Sequence, residues 1–377
     1  MSGKGRVLVA MSGGVDSSVA AVMLKEQGYD VIGITMKTWD YSRVGGKSDK
    51  ETGCCTLESM NDARQIAVNH GFKHFIVDIR DEFGDWVIDR FVDDYMGGRT
   101  PNPCVLCNTH IKWAALLRRA DNLGCDYIAT GHYAKVREEN GRYVISRGLD
   151  PRKDQSYALW GVQQKHLART IFPLGSYEKT EIRQLAEEFG LTKVADKPDS
   201  YEICFVPDDD YRRFLRDRVD NLEERVGGGK FVDQEGNIVG EHEGYPFYTI
   251  GQRRGLDLAL GKRVYVTDID PETNIIEVGE KKDLISTTCR AGELNMVKYE
   301  RVPEDEMEIT GMIRYNDTAD ATGYLTQLSD DEMEVTFPAG REAITPGQAI
   351  VCYEGRDVVA GGWITKVNVE TEAVNAQ

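Results

Sequence analysis

Ser12-Gly13-Gly14-Val15-Asp16-Ser17-Ser18 packs two glycines, a carboxylate and three hydroxyls into seven residues. Glycines let a backbone turn tightly and bring N–H groups to a phosphate, and a helix opening behind them adds a partial positive charge. Ser17 and Ser18 can cap that helix and donate hydroxyls to phosphate oxygens. The plain alternative is a tight strand-to-helix turn with Asp16 or Ser17 as N-cap. A Walker A loop is excluded, because it needs Gly-x-x-x-x-Gly-Lys-[Ser/Thr] and Gly229-Lys230 is followed by Phe231. The second reactive set is sulfur. Pro101-Asn102-Pro103-Cys104-Val105-Leu106-Cys107-Asn108 opens a helix with a Cys-x-x-Cys, and Cys204 stands in Tyr201-Glu202-Ile203-Cys204-Phe205. A helix N-terminus lowers a thiol pKa from about 8.5 toward neutral, which predicts an available thiolate. A lone Cys-x-x-Cys is more often half a zinc site or a redox pair. The chain has no second Cys-x-x-Cys or His-x₃₋₅-His, so a four-ligand zinc finger is not supported.

The elements that must carry these residues alternate. Apolar runs at Val7–Ala10, Val31–Met36, His74–Ile79 and Asp126–Thr130 read as strands. Helical patterns at Val19–Gln27, Ser59–Asn69 and Lys112–Asn122 separate them. Strands separated by helices predict an α/β fold with a doubly wound parallel sheet, and in such sheets ligands sit beyond the carboxyl ends of the strands. The glycine turn after the first strand and Gly131-His132 after the fourth should both lie there. Beyond about residue 207 the pattern changes to one more helix, Tyr211–Asn221, and then short strand-like runs such as Glu308–Tyr315 and Met333–Phe337. A small central β-rich domain and a C-terminal antiparallel barrel follow from that change.

Composition sets limits. The 377 residues are 41% hydrophobic and 29% charged, ordinary values for a globular protein, with no apolar run long enough for a membrane span, and the first residues lead us to expect no secretory leader. A cytoplasmic location is expected, so the eight cysteines need another role than a disulfide scaffold. The net charge of −17 argues against a polyanion partner, yet residues 108–153 carry nine Lys/Arg against five acids. Arg253, Arg254, Lys262 and Arg263 face only Asp257 in residues 250–265. Phosphate contacts are local, so an acidic body with two basic stretches can bind RNA; solvated faces are the competing explanation.

The full glycine loop in its strand–helix setting resembles the fingerprint of the ATP pyrophosphatase superfamily, which splits ATP into AMP and pyrophosphate. There Asp16 would help hold Mg²⁺. The chain also resembles the tRNA-specific 2-thiouridylase family along nearly its whole length. The matching segments are Ala10–Ser17, Gly98–Pro103, Ala129-Thr130-Gly131-His132-Tyr133, Lys153-Asp154-Gln155-Ser156-Tyr157, Ile203-Cys204-Phe205, Gly251–Leu256 and Pro346-Gly347-Gln348.

The resemblance implies an adenine nucleotide alpha hydrolase-like catalytic domain over 1–207, a central domain over 208–284, a tRNA-contacting β-barrel over 285–369 and a tail over 370–377. It implies ATP binding by Ala10, Met11, Ser12, Gly13, Gly14, Val15, Asp16, Ser17, Met36 and Gly131, with Met36 against the adenine. Asn102, Pro103 and Cys104 would surround the target uracil. His132, Lys153, Asp154, Gln155, Arg314, Tyr315 and Gln348 would touch the tRNA. Cys204 would carry a persulfide supplied by a cysteine desulfurase or relay protein. Cys107 would be its catalytic partner, in a transient Cys107–Cys204 disulfide. Many members have Asp where this chain has Cys104; a carboxylate there could serve as a base toward a thiol, which Cys104 would do differently or not at all.

Two arrangements of the thiols stay open: a Cys107–Cys204 relay tuned by Cys104, or an iron–sulfur cluster on Cys104, Cys107 and Cys204 with one iron left open. Cys54, Cys55, Cys125, Cys289 and Cys352 read as structural. A pyrophosphatase-type ligase amidating a small metabolite, and an RNA-binding protein with a degenerate loop, are the competing functions.

Overall fold

The computed structural model describes residues 3–39, 56–197, 203–317 and 321–367, so Cys54, Cys55 and the expected tail lie outside the described residues. The chain forms two compact units. The first comprises 1–89, 103–211 and 356–358; the second comprises 90–102, 212–355 and 359–377.

In the first unit β1 (Arg6–Ala10), α1 (Val15–Glu26), β2 (Asp30–Lys37), α2 (Leu57–Asn69) and β3 (Lys73–Asp78) follow in turn. Later come β4 (Tyr127–Ala129), a hairpin of β5 (Ala134–Glu139) and β6 (Arg142–Arg147), and β7 (Thr170–Ile171). The sheet order is β3-β2-β1-β4-β7, and all four pairings are parallel. Val7, Leu8 and Val9 have no exposed surface, which is why β1 shows no alternation in the sequence. The order runs outward from β1 to β2 on one side and to β4 on the other. That makes the β1/β4 boundary the topological switch point, where such sheets bind ligands. Val9, Val19, Val22, Val31, Ala129 and Ile182 close one core over it.

The second unit holds two β assemblies. A four-stranded sheet has the order β10-β11-β8-β9, built from β8 (Gly229–Val232), β9 (Ile238–His242), β10 (Tyr265–Asp270) and β11 (Ile275–Gly279). Only its β11–β8 pair is parallel. A six-stranded antiparallel barrel follows, from β12 (Ile285–Met296) through β13 (Met307–Met312), β14 (Ala321–Gln327), β15 (Glu332–Glu342) and β16 (Ala349–Glu354) to β17 (Asp357–Val367). Pairing of β12 with both β15 and β17 closes it, so no edge is left open. Ile309, Leu325, Val335, Phe337 and Ile364 fill its interior together with Cys289 and Cys352.

Candidate active site

The glycine loop leaves β1 at Met11, whose N–H donates to the Ile34 carbonyl at 2.8 Å while its own carbonyl accepts the Thr35 hydroxyl at 2.8 Å. Gly13 has φ +75, and a Cβ there would collide with the Ser59 carbonyl oxygen, so both conformation and space demand glycine. Gly131 is constrained by space alone: a Cβ would fall 2.8 Å from the Ser17 nitrogen. The loop and the end of β4, expected to share one site, therefore touch.

The serines act differently from the capping expected of them. Helix α1 starts four residues before the apolar pattern, with Gly14 as N-cap and no side-chain cap. Ser17 Oγ accepts the Ser12 N–H at 3.0 Å, and Ser18 Oγ donates back to the Gly14 carbonyl at 2.8 Å. Neither they nor Asp16 caps the helix. The hydroxyls brace the loop from inside, and the first-turn N–H groups of α1 are left without side-chain caps.

Asp16 is drawn into a network that spacing could not reveal. Lys179 Nζ lies 2.7 and 2.8 Å from its two carboxylate oxygens, and the Tyr133 hydroxyl donates to Oδ1 at 2.7 Å. Gln155 Oε1 in turn accepts the Tyr133 N–H at 3.0 Å. Lys179 is 7% exposed and heads the helix Lys179–Glu188, with its ammonium over the Tyr133 ring. A second cation flanks the loop: Lys197 Nζ reaches the Gly13 carbonyl at 3.4 Å and Asp62 at 2.5 Å, and Lys193 also binds Asp62 at 2.5 Å. Burial raises the Asp62 pKa, but the two lysines outweigh it and hold the carboxyl below its ordinary value. Lys179, Lys197, Asp62 and Tyr133 were missed from the sequence. A lysine opening a polar helix looks like any other; only the Tyr133 that closes the Gly131-His132 motif carried a hint.

The cysteine segment is one helical run of unusual build. An α turn, Pro103–Leu106, passes into a π-helix, Cys107–Lys112, and then into the α-helix Trp113–Asn122. Pro103 stands at the first position, where its missing N–H costs nothing. Cys104 is exposed, Cys107 is buried and Cys204 is half-buried. The Cys104 thiol is shifted up rather than down. Although part of the residue is exposed, nearby protein desolvates the sulfur, and the Lys112 ammonium pulls the other way without overcoming it. Lys112 also acts on His132, bringing Cys104 and His132 under one charge. His132 is held well below its ordinary pKa, chiefly by burial. Its ring lies 5.7 Å from Trp113 and 6.1 Å from Phe172, and Nδ1 is 2.6 Å from the Thr130 hydroxyl. Phe205, next to Cys204, packs on Phe83 at 5.8 Å, and Phe83 directly precedes a second π-helix, Gly84–Ile88, that packs against the cysteine run.

No group of three His, Cys, Asp or Glu able to hold a metal exists among the described residues, which include Cys104, Cys107 and Cys204. As placed here, those three thiols do not form a ready-made ligand set for an iron–sulfur cluster. Of the cysteines read as structural, Cys125, Cys289 and Cys352 are buried: Cys125 is pushed up to about 11 and Cys289 to about 12 by desolvation, and Cys352 higher still.

Several residues expected to touch RNA are committed within the protein. Asp154 accepts from the Gly148 and Ser156 N–H groups and the Ser156 hydroxyl. In the second unit the Gln348 amide donates to the carbonyls of Thr100 and Pro101, both at 3.0 Å, in the segment that ends at Asn102. Arg314 and Tyr315 are exposed on a turn pinned by the buried Arg341–Asp317 ion pair. Arg118 and Arg119 share Glu82, and Arg137 pairs with Asp357 and Glu139, so the first basic stretch is partly neutralised. Arg253 and Arg254 are exposed.

The parallel α/β unit and the β modules are each matched by a family profile. The profile described as "tRNA methyl transferase HUP domain" matches residues 5–208, "tRNA methyl transferase PRC-barrel domain" 213–280, and "Aminomethyltransferase beta-barrel domain" 286–364. The chain is 67% identical to the "tRNA-specific 2-thiouridylase MnmA" of Salinibacter ruber, over 99% of this chain and 98% of that protein. It is 60% identical to the protein of the same name from Cytophaga hutchinsonii, over 97% and 98%. A solved 4-thiouridine synthetase–RNA complex with bound ATP is similar at 20% identity and TM-score 0.36, covering 54% of this chain and 44% of that one. The chain belongs to the tRNA-specific 2-thiouridylase family.

Proposed function

We propose that this protein thiolates C2 of the wobble uridine of tRNA at the expense of ATP, in the cytoplasm where charged tRNA cycles. The observation that carries the reading is the loop at the β1/β4 switch point, with Lys179 locked on Asp16 in the same unit as the Cys104–Cys107 run and Cys204. The division into domains 1–207, 208–284 and 285–369 is part of the same reading, supported by the change from parallel sheet to antiparallel barrel.

A urea-like carbonyl does not surrender its oxygen unaided. The uridine O2 attacks the α-phosphorus of ATP, the bond to the bridging oxygen breaks, and pyrophosphate departs. Lys179 and the loop N–H groups meet the charge that develops on the phosphates. Magnesium fits here as an ion carried by the nucleotide: among the described residues Asp16 Oδ2 accepts from Lys179 and keeps a lone pair, and one carboxylate plus phosphates and waters is a usual magnesium set. Bound there, it would neutralise the leaving pyrophosphate.

The terminal sulfur of a Cys204 persulfide, supplied by a cysteine desulfurase or relay protein, then adds to C2. The Cys107 thiolate attacks the Cys204 sulfur, forming the Cys107–Cys204 disulfide and leaving the transferred sulfur on C2. AMP is expelled as the C2–sulfur double bond closes, and an external thiol reduces the disulfide for the next turnover. Asn102, Pro103 and Cys104 line the base, while Arg314, Tyr315 and the exposed Arg253 and Arg254 meet tRNA phosphates. Incubating the protein with tRNA, ATP and a persulfide donor should give 2-thiouridine by mass spectrometry, with one AMP per sulfur. ATP cleavage that needs no tRNA and leaves uridine unchanged would overturn this function.

A further inference from the structure

Trp86 is 55% exposed, an unusual state for the largest apolar side chain. It sits on the π-helix Gly84–Ile88, and its ring is stacked on that of His110, with centroids 5.0 Å apart and planes 16° from parallel. His110 belongs to the π-helix Cys107–Lys112, three residues after the catalytic cysteine. Each widened turn thus supplies one ring of the pair, and π-turns recur where a side chain must be re-aimed for function. The outer face of the indole remains in water. Lys112, which acts on Cys104 and His132, closes the same π-helix.

We propose that Trp86, backed by His110, is a stacking platform for a single-stranded tRNA base adjacent to the target uridine. The proposal rests on the thiolation reading above. A uridine bound at Cys104 must be splayed from its loop, which unstacks its neighbours and leaves them with bare π-faces. An exposed indole accepts any base face, so the platform would contribute affinity without reading sequence. His110 holds the indole at a fixed tilt, so little ordering remains to be done when the base arrives.

The test uses the full-length protein, the tRNA substrate and the isolated anticodon stem-loop. Trp86→Ala is expected to weaken tRNA binding and raise KM for tRNA by about ten- to hundred-fold, the range for loss of one base–aromatic stack, with ATP affinity unchanged. Trp86→Phe keeps an aromatic face and should recover most of the affinity. A stem-loop carrying 2-aminopurine beside the wobble position should be quenched by wild type and far less by Trp86→Ala. If wild type thiolates tRNA and Trp86→Ala binds it equally well, the platform falls while the function stands. Unchanged tRNA affinity with slower sulfur transfer from the donor protein would assign the face to that protein and overturn the proposal. Wild type that neither binds nor thiolates tRNA would sink both. If Trp86→Ala loses binding and Trp86→Phe fails to restore it, in proteins that melt as wild type does, the stack is not what the RNA uses.

Discussion

The phosphate loop and the cysteine run lie in one unit and are built by opposite means. At the loop, charge is fixed by charge: Asp16 holds Lys179, and Asp62 holds Lys193 and Lys197. Glycine at positions 13 and 131 lets backbone meet backbone there. The cysteine run has little of this. Its helix is widened at Cys107, its neighbours are Phe83, Trp113 and Phe205, and desolvation raises the Cys104 thiol. In the mechanism proposed above, the difference follows from the two half-reactions. Pyrophosphate departure develops charge at a fixed place, and fixed dipoles and cations stabilise it with no reorganisation. Sulfur transfer passes an atom between partners and has less use for fixed charge.

The sharpest way to break this comparison is to disable each half separately. Asp16→Ala should abolish AMP formation and thiolation together while leaving tRNA affinity intact. Lys179→Met should slow AMP formation by about 10²–10³-fold, the cost of one preorganised donor to a developing oxyanion. Cys204→Ser should abolish thiolation and keep the first AMP-forming turnover, read by rapid-quench assay. Loss of AMP formation in Cys204→Ser would show that the halves are one machine.

A smaller effect sharpens the electrostatic side. Asp62 is 3% exposed at its side chain and its two lysines are more accessible, so Asp62→Asn leaves cations that water can partly solvate. A destabilisation of about 1–3 kcal/mol is expected, below the cost of stranding a fully buried charge, together with a higher KM for ATP because Lys197 loses its anchor beside Gly13. Denaturant unfolding and ATP titration check the two readouts. An unchanged midpoint would mean that the lysines find other partners.

The smallest effect concerns pH. His132 has a folded pKa well below its ordinary 6.5, so the unfolded chain binds the proton first as acid is added. Above 6.5 the group contributes nothing to the pH dependence; below it, stability falls by at most about 1.4 kcal/mol per pH unit until the folded group titrates. His74, His166 and His242 are also lowered by burial and add to the slope. His132→Gln should flatten melting temperature against pH between 6.5 and about 5, and an unaltered slope would assign it wholly to the other three.

Much of this molecule was legible in one dimension. The four strands before residue 131 match their apolar runs to within a residue or two; for β1 and β2 the reason is that a strand buried on both faces must be continuously apolar, whereas β3 is apolar yet largely exposed. The loop after β1 and Gly131 after β4 were expected at the same sheet edge, and their packing bears that out. The barrel was visible in Glu308–Tyr315 and Met333–Phe337, which fall on β13 and β15. Local periodicity and turn chemistry suffice for such features, since they are set by neighbours a few residues away.

What tertiary structure decided lies at longer range. Lys179 meets Asp16 across 163 residues, and no spacing rule reaches that far. Ser17 and Ser18 brace the loop instead of capping α1, because the helix begins at Val15 once Gly14 is fixed by the fold. The Cys104 thiol is shifted up for a related reason. A helix start favours the thiolate, but the surrounding protein disfavours it more, and desolvation depends on every atom packed around the sulfur. Sequence alone named the candidate groups; their partners were settled by packing, which only the folded chain supplies.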